Sequence, residues 1–221
     1  LVGPTGVGKT SAVYQLVRDL LEIDGWADHR NMSRCRQVWT ITGRRIIAGM
    51  SHAGQWEARC LDLLEDLQRQ PCLLHVGDIQ SWGRIGQSLS SERCLADFFR
   101  GPVARGEAPM LAEATPTAWQ QLEAEAPAFA RLFTVLELEE PSTVETLRIL
   151  LRQVRQLEAR APVRIGPLAL RTILELGESL LATRAFPGKA LELLEALGQQ
   201  ALMHDDDDAP LELGPQAVFA A

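Results

Sequence analysis

Gly3-Pro4-Thr5-Gly6-Val7-Gly8-Lys9-Thr10 lies between the apolar pair Leu1-Val2 and an amphipathic stretch that runs from Lys9 to Glu22. Every constrained position of G-x-x-x-x-G-K-[ST] is met, and the flanks are those the motif's mechanism needs, a strand stub before it and a helix after it. The glycines let the backbone wrap so that successive N–H groups point inward at phosphate oxygens, and the helix start adds roughly half a positive charge. In that arrangement Lys9 reaches the β- and γ-phosphates and the Thr10 hydroxyl ligates Mg2+. Composition supports the same reading: the chain has two lysines, Lys9 and Lys189, against 20 arginines. A sequence that otherwise writes its positive charges as Arg has kept a Lys where a point-charge phosphate binder is wanted.

Downstream of the loop, short apolar runs alternate with helical periodicity as far as Pro141. The strand candidates are Leu1-Val2, Gln37 to Thr42, Cys72 to Gly77, Met110 to Ala114 and Phe133 to Leu138. Helices are expected at Lys9 to Glu22, Gln55 to Arg69, Ser91 to Arg100 and Pro116 to Glu125. Strands separated by helices require crossovers, which place a mainly parallel sheet between helical layers, an α/β fold of the phosphate-loop NTPase type. After Pro141 only helical pattern follows. Ser142 with Glu145 three residues on is a capping-box start for a helix to about Arg160. Two more helices are expected from about Pro167 to Thr183 and from Pro187 to Leu202, which makes a small all-α subdomain. The expected organisation is therefore 1–140 as the large α/β subdomain, 141–204 as a helical lid, and 205–221, with its run Asp205 to Asp208, as an acidic linker toward a further domain.

The chain has 221 residues, of which 46% are hydrophobic and 23% charged, enough apolar surface for a real core. Its 22 basic and 29 acidic residues give a net charge of −7, which argues against a dedicated nucleic-acid binder. Apolar runs such as Leu73-Leu74-His75-Val76 fall far short of the roughly 20 residues that cross a bilayer. Cys35, Cys60, Cys72 and Cys94 form no C-x-x-C pair, so a zinc site or disulfide framework is not expected, and the thiols read as reduced core residues. With no initiator Met and no basic leader, the sequence reads as a fragment of a longer, cytoplasmic chain.

From the loop to about residue 204 the sequence resembles the first nucleotide-binding module of the Clp-type AAA+ ATPases, the ring-forming protein unfoldases and disaggregases. Ile46-Ile-Ala-Gly-Met-Ser-His52-Ala-Gly54-Gln-Trp56-Glu57-Ala-Arg59 is similar to the family's "LVAGAKYRGEFEERL", with Gly49, Gly54, Glu57 and Arg59 retained. The resemblance puts His52 at the pore-loop aromatic that grips translocating polypeptide. Imidazole is flat but more polar than that aromatic and can charge near neutral pH. Ala104-Arg105-Gly106-Glu107, followed by Ala114-Thr115, resembles "ARGELHCVGATT" and sets Thr115 at the sensor-1 position. Arg131-Leu132-Phe133 stands where the family has Arg-Arg-Phe, so Arg131 is the surviving candidate for an arginine finger. Phe186-Pro187-Gly188-Lys189-Ala190-Leu191-Glu192 resembles "LPDKAID" at the start of the last lid helix.

One segment departs from the pattern. Leu73-Leu-His-Val-Gly77-Asp78-Ile79-Gln80-Ser81 occupies the place of "ILFIDELHT", whose Asp holds the Mg2+ hydration shell and whose Glu polarises the attacking water. The best register puts Gly77 on the Asp and Asp78 on the Glu; a shift by one puts Asp78 on the Asp and Ile79 on the Glu. In both registers one carboxylate is missing, and a base misplaced by about 1 Å can cost on the order of 100-fold in rate. Asp78, Thr115 and Arg131 are thus the candidate catalytic residues, Gly3 to Thr10 the nucleotide-binding residues, and Thr10 with Asp78 the Mg2+ ligands.

The expectation is ATP or ADP binding with weak or lost hydrolysis. The resemblance implies a homo-oligomer, a hexameric ring, acting on unfolded or misfolded protein, with a protease or adaptor as a further partner. The alternative is a non-hydrolysing scaffold in which bound nucleotide cements the assembly. A small-molecule phosphotransferase is disfavoured, because Arg148, Arg152, Arg155 and Arg160 recur at helical intervals as on a solvated face rather than as a phosphate lid.

Overall fold

A computed structural model describes residues 1–24, 37–50, 54–70, 72–87, 92–160, 163–180, 183–202 and 211–220. The chain divides into two compact units, Leu1–Gly3 with Lys9–Glu137 and Pro4–Gly8 with Leu138–Ala221. His52 and the aspartate run at 205–208 lie outside the described residues.

The first unit is built on a parallel sheet of β1 (Gln37–Ile41), β2 (Cys72–Val76) and β3 (Met110–Ala112), in that order. Val2 continues it, bridging in parallel to Ala114 on one side and to Glu137 on the other. The expected strand at Phe133 to Leu138 is thus reduced to this bridge. Central β2 is the most apolar strand and is buried nearly throughout, as a parallel strand covered on both faces should be. Its polar exception is His75.

Around the sheet lie α1 (Lys9–Asp24), α2 (Gly43–Ile47), α3 (Gln55–Arg69), α4 (Leu95–Ala104), α5 (Pro116–Glu125) and α6 (Pro127–Ala130). Helices α3 and α5 fall on the residues their periodicity predicts. Helix α5 starts because the Thr115 hydroxyl accepts the Ala118 N–H and Pro116 supplies a preset first φ. Helix α4 begins at Leu95 rather than at Ser91 and runs on to Ala104 through Pro102. The core gathers Leu74, Ile79, Trp82, Leu95, Phe99, Leu122 and Phe129, with the Trp82 ring stacked near Phe129 and tilted against Phe99.

The second unit holds α7 (Thr143–Glu158), α8 (Pro167–Leu180), α9 (Gly188–Leu202) and α10 (Pro215–Ala220), packed on Leu150, Ile173, Leu194, Leu197 and Val218. It is not purely helical. β4 (Val163–Ile165) pairs in parallel with β5 (Leu211–Leu213), so residues expected to form a linker close a small sheet. Strands of three residues leave almost no periodic signal, which is why they are unreadable in advance.

Candidate functional site

The phosphate loop shows the backbone that its glycines permit. Gly6 and Gly8 have φ of +92° and +102°, in the left-handed region that a side chain disfavours. Pro4–Gly8 belongs with the second unit, where Ala185 N–H donates to Thr5 O at 2.8 Å and Gly188 N–H to Gly6 O at 2.9 Å. A Cβ on Gly188 would lie 2.6 Å from Gly6 Cα, so two glycines face each other where no side chain fits. These contacts engage carbonyls of the loop; an anion requires its N–H groups.

The motif's last residues and their partners lie in the first unit. Lys9 Nζ donates to Gly3 O at 2.8 Å. Burial pulls the Lys9 ammonium below its usual pKa, against the opposing charge of Glu113. Thr10 Oγ1 donates to Glu113 Oε2 at 2.8 Å. The other oxygen, Glu113 Oε1, lies 2.7 Å from His75 Nε2, and His75 Nδ1 lies 3.2 Å from Thr40 Oγ1.

Sheet register explains this chain of contacts. Thr40 on β1 is the partner of His75 on β2, and Glu113 follows directly on β3, its N–H donating to Val76 O at 2.8 Å. His75 and Glu113 are only 4% and 7% exposed, so each is the other's replacement for water. Burial pushes the Glu113 carboxyl up, but hydrogen bonds from His75 and Thr10, with the charge of Lys9, more than offset it and hold the group below the usual carboxylate range.

Asp78 is engaged elsewhere. Gly43 N–H donates to both of its carboxylate oxygens at 3.1 Å, and the Ser81 hydroxyl donates to Oδ2 at 3.1 Å and to the Asp78 carbonyl at 2.8 Å. The side chain thus ties the end of β2 to the start of α2 and to the 3-10 turn Ile79–Gly83. Among the described residues, the carboxylate on Thr10 is Glu113 and not Asp78. Gly77 ends β2 beside open space, since a Cβ built on it would meet nothing within 4 Å.

Thr115 spends its hydroxyl on the α5 cap and lies 3.1 Å from the Thr117 hydroxyl. Arg131 is exposed at the C-cap of α6 and pairs with no carboxylate among the described residues. Arg59 and Glu57, retained in the Ile46 to Arg59 stretch, make structural contacts. Arg59 donates to the carbonyls of Arg45, Ile46 and Ala48 at the end of α2, and Glu57 pairs with Arg93 at 3.2 Å.

Sequence reading passed over Glu113, His75 and Thr40. The available signal was a carboxylate within the apolar run Met110-Leu111-Ala112-Glu113-Ala114 and an imidazole within the apolar core of β2. No group of three or more His, Cys, Asp or Glu able to hold a metal occurs among the described residues.

Comparison with family profiles finds no match. Individual relatives do match. ClpB from Tropheryma whipplei (strain TW08/27) is 26% identical over 208 residues, 93% of this chain and 29% of ClpB. Heat shock protein 104 from Schizosaccharomyces pombe is 27% identical over 197 residues, 88% of this chain and 21% of that protein. Among solved structures, a closed-state reconstruction of Hsp104 with ATPγS and FITC-casein superposes with a TM-score of 0.74 at 21% identity, covering 98% of this chain and 37% of that one. The relatives are Clp-type AAA+ ATPases, and the fold is that of an α/β phosphate-loop NTPase of the AAA+ class. The chain spans less than a third of the length of these curated relatives.

Proposed function

We propose that this chain, a homologue of the Clp-type AAA+ ATPases, is a nucleotide-binding module of a Clp-like ring chaperone that holds ATP or ADP at Gly3–Thr10 and hydrolyses it slowly or not at all. Binding rests on the loop: left-handed Gly6 and Gly8, the Lys9 ammonium, and the Thr10 hydroxyl at the start of α1. The nucleotide named with the Hsp104 structure, ATPγS, is the chemistry this motif suits.

The observation that carries the loss of hydrolysis is the fate of Asp78. Its two oxygens accept the Gly43 amide and the Ser81 hydroxyl, so the one carboxylate left in the degenerate segment is occupied as a structural cap. A water-polarising base needs a free lone pair aimed at the attacking water. The donor set near Thr10, a hydroxyl and a carboxylate, is hard oxygen and fits Mg2+. Bound there with nucleotide, Mg2+ would neutralise charge on the β- and γ-phosphates. The protein's own part is to bind and orient the phosphates, and Asp78 is engaged by Gly43 and Ser81 rather than aimed at a water.

Two uses of such a module are distinguishable. In a motor, nucleotide state drives remodelling of protein substrates, with Arg131 reaching a neighbouring subunit and His52 contacting polypeptide. In a scaffold, bound nucleotide only cements the oligomer, and the occupied Asp78 favours this second reading. Lys9→Ala abolishes assembly under the scaffold reading while Asp78→Asn leaves it intact. Under the motor reading both variants abolish substrate remodelling. Isothermal titration with ATP alongside a phosphate-release assay tests the shared premise: binding is expected, with turnover well below the 1–100 s⁻¹ typical of kinases. Turnover within that range would contradict it.

A further inference from the structure

We infer that Glu113 supplies from β3 the metal-facing carboxylate that β2 lacks at Gly77, and that His75 is the residue that positions it. This rests on the nucleotide-binding reading above and adds to it the group that makes binding magnesium-dependent.

The argument begins with register. β2 and β3 run parallel, with Val76 opposite Ala112. The next pair along is Gly77 and Glu113, so the lost carboxylate and the new one stand at the same level of the sheet on adjacent strands. Gly77 has open space where its side chain would be, while Glu113 carries one methylene more than Asp and extends to Thr10.

Thr10 is the second link. A hydroxyl has one hydrogen to donate and two lone pairs to offer. Donating its hydrogen to Glu113 Oε2 at 2.8 Å leaves oxygen lone pairs for a cation, so the contact fixes the hydroxyl in the sense a metal ligand needs.

The third link is burial. Glu113 is 7% exposed, and His75 holds Oε1 at 2.7 Å while Oε2 is left to Thr10. His75 is in turn held by Thr40 at 3.2 Å. His75 satisfies one oxygen of this buried carboxylate, and the donor on the other is the residue after the phosphate-loop lysine, so Oε2 stands where a cation bound to Thr10 would lie. Partners that orient a ligand's carboxylate commonly tune metal affinity by about 10–100-fold. The two tasks that the family assigns to adjacent carboxylates therefore separate here: metal holding is moved to Glu113, and water activation is absent.

The test is ADP titration with Mg2+ and again with excess EDTA, on wild type, Glu113→Gln, Gly77→Asp/Glu113→Gln and His75→Ala, with Mn2+ replacing Mg2+ for an electron paramagnetic resonance count of bound metal. Wild type is expected to bind ADP at least tenfold tighter with Mg2+. Glu113→Gln should lose most of that gain and the bound Mn2+ signal, with affinity in EDTA unchanged within about twofold. Placing Asp at Gly77 should restore both, a rescue that separates metal holding from folding. His75→Ala should fall between wild type and Glu113→Gln.

If Glu113→Gln keeps the full magnesium gain, or weakens binding equally in Mg2+ and EDTA, the assignment is overturned and Glu113 only shapes the core. If wild type binds ADP in neither condition, the nucleotide-binding reading falls and the assignment with it.

Discussion

Gly6 is where a single methyl group should matter most. Its φ is +92°, and an added Cβ would sit 2.8 Å from the Ala185 carbonyl, a backbone atom that cannot step aside alone. Gly6→Ala is expected to cost about 1–3 kcal/mol of stability and to abolish ADP binding, read by chemical denaturation and by titration calorimetry. Asp78 gives the opposite pattern. Asp78→Ala should lose about 1–2 kcal/mol through the orphaned Gly43 amide yet leave ADP affinity within about twofold, because the side chain caps α2 rather than facing nucleotide. Lys9 and Thr10 are legible in sequence because their chemistry is local, eight residues with one backbone solution. Glu113 is illegible for the converse reason. It meets Thr10 across 103 positions of sequence, and only strand order brings the two together.

Helices were the elements most easily read, since α3 carries a 3.6-residue pattern and α5 adds a start signal in Thr115-Pro116. Helix α7 shows the start signal most completely. The Ser142 hydroxyl accepts the Glu145 N–H, and the Glu145 carboxylate accepts both the Ser142 N–H and its hydroxyl. Those bonds from the Ser142 side chain and backbone hold the Glu145 carboxyl below the usual carboxylate range. A group whose pKa is lowered on folding stabilises the fold above the ordinary carboxylate range and loses that contribution as pH falls through its folded value. Ser142→Ala should therefore lower the melting temperature near pH 7, and the gap to wild type should narrow as pH falls through the carboxylate range in thermal melts. What the sequence hid at this scale was the β4–β5 pair. It is three residues a strand, with its second member beyond an acidic run that reads as an ending.

At the scale of the molecule, the described residues of the first unit have a core around Leu74, Trp82 and Phe99, and those of the second a core around Leu150, Ile173 and Leu197. Leu74→Ala and Leu150→Ala, each at a fully buried position, should each cost about 2–5 kcal/mol in denaturation experiments. Fold class was legible at this scale because a phosphate loop followed by alternating strands and helices admits few topologies. The missing carboxylate was legible only as a gap at Gly77, and the structure adds that Asp78 accepts the Gly43 amide at the start of α2. Within the described residues no helix is long and apolar enough to cross a membrane. The central claim is that this module retains nucleotide without cleaving it, and a single-turnover quench-flow measurement with limiting γ-labelled ATP and Mg2+ addresses it most directly. The account predicts that wild type captures the ATP and keeps it intact for minutes, while Lys9→Ala captures none. Release of labelled phosphate from wild type at 1 s⁻¹ or faster would contradict it.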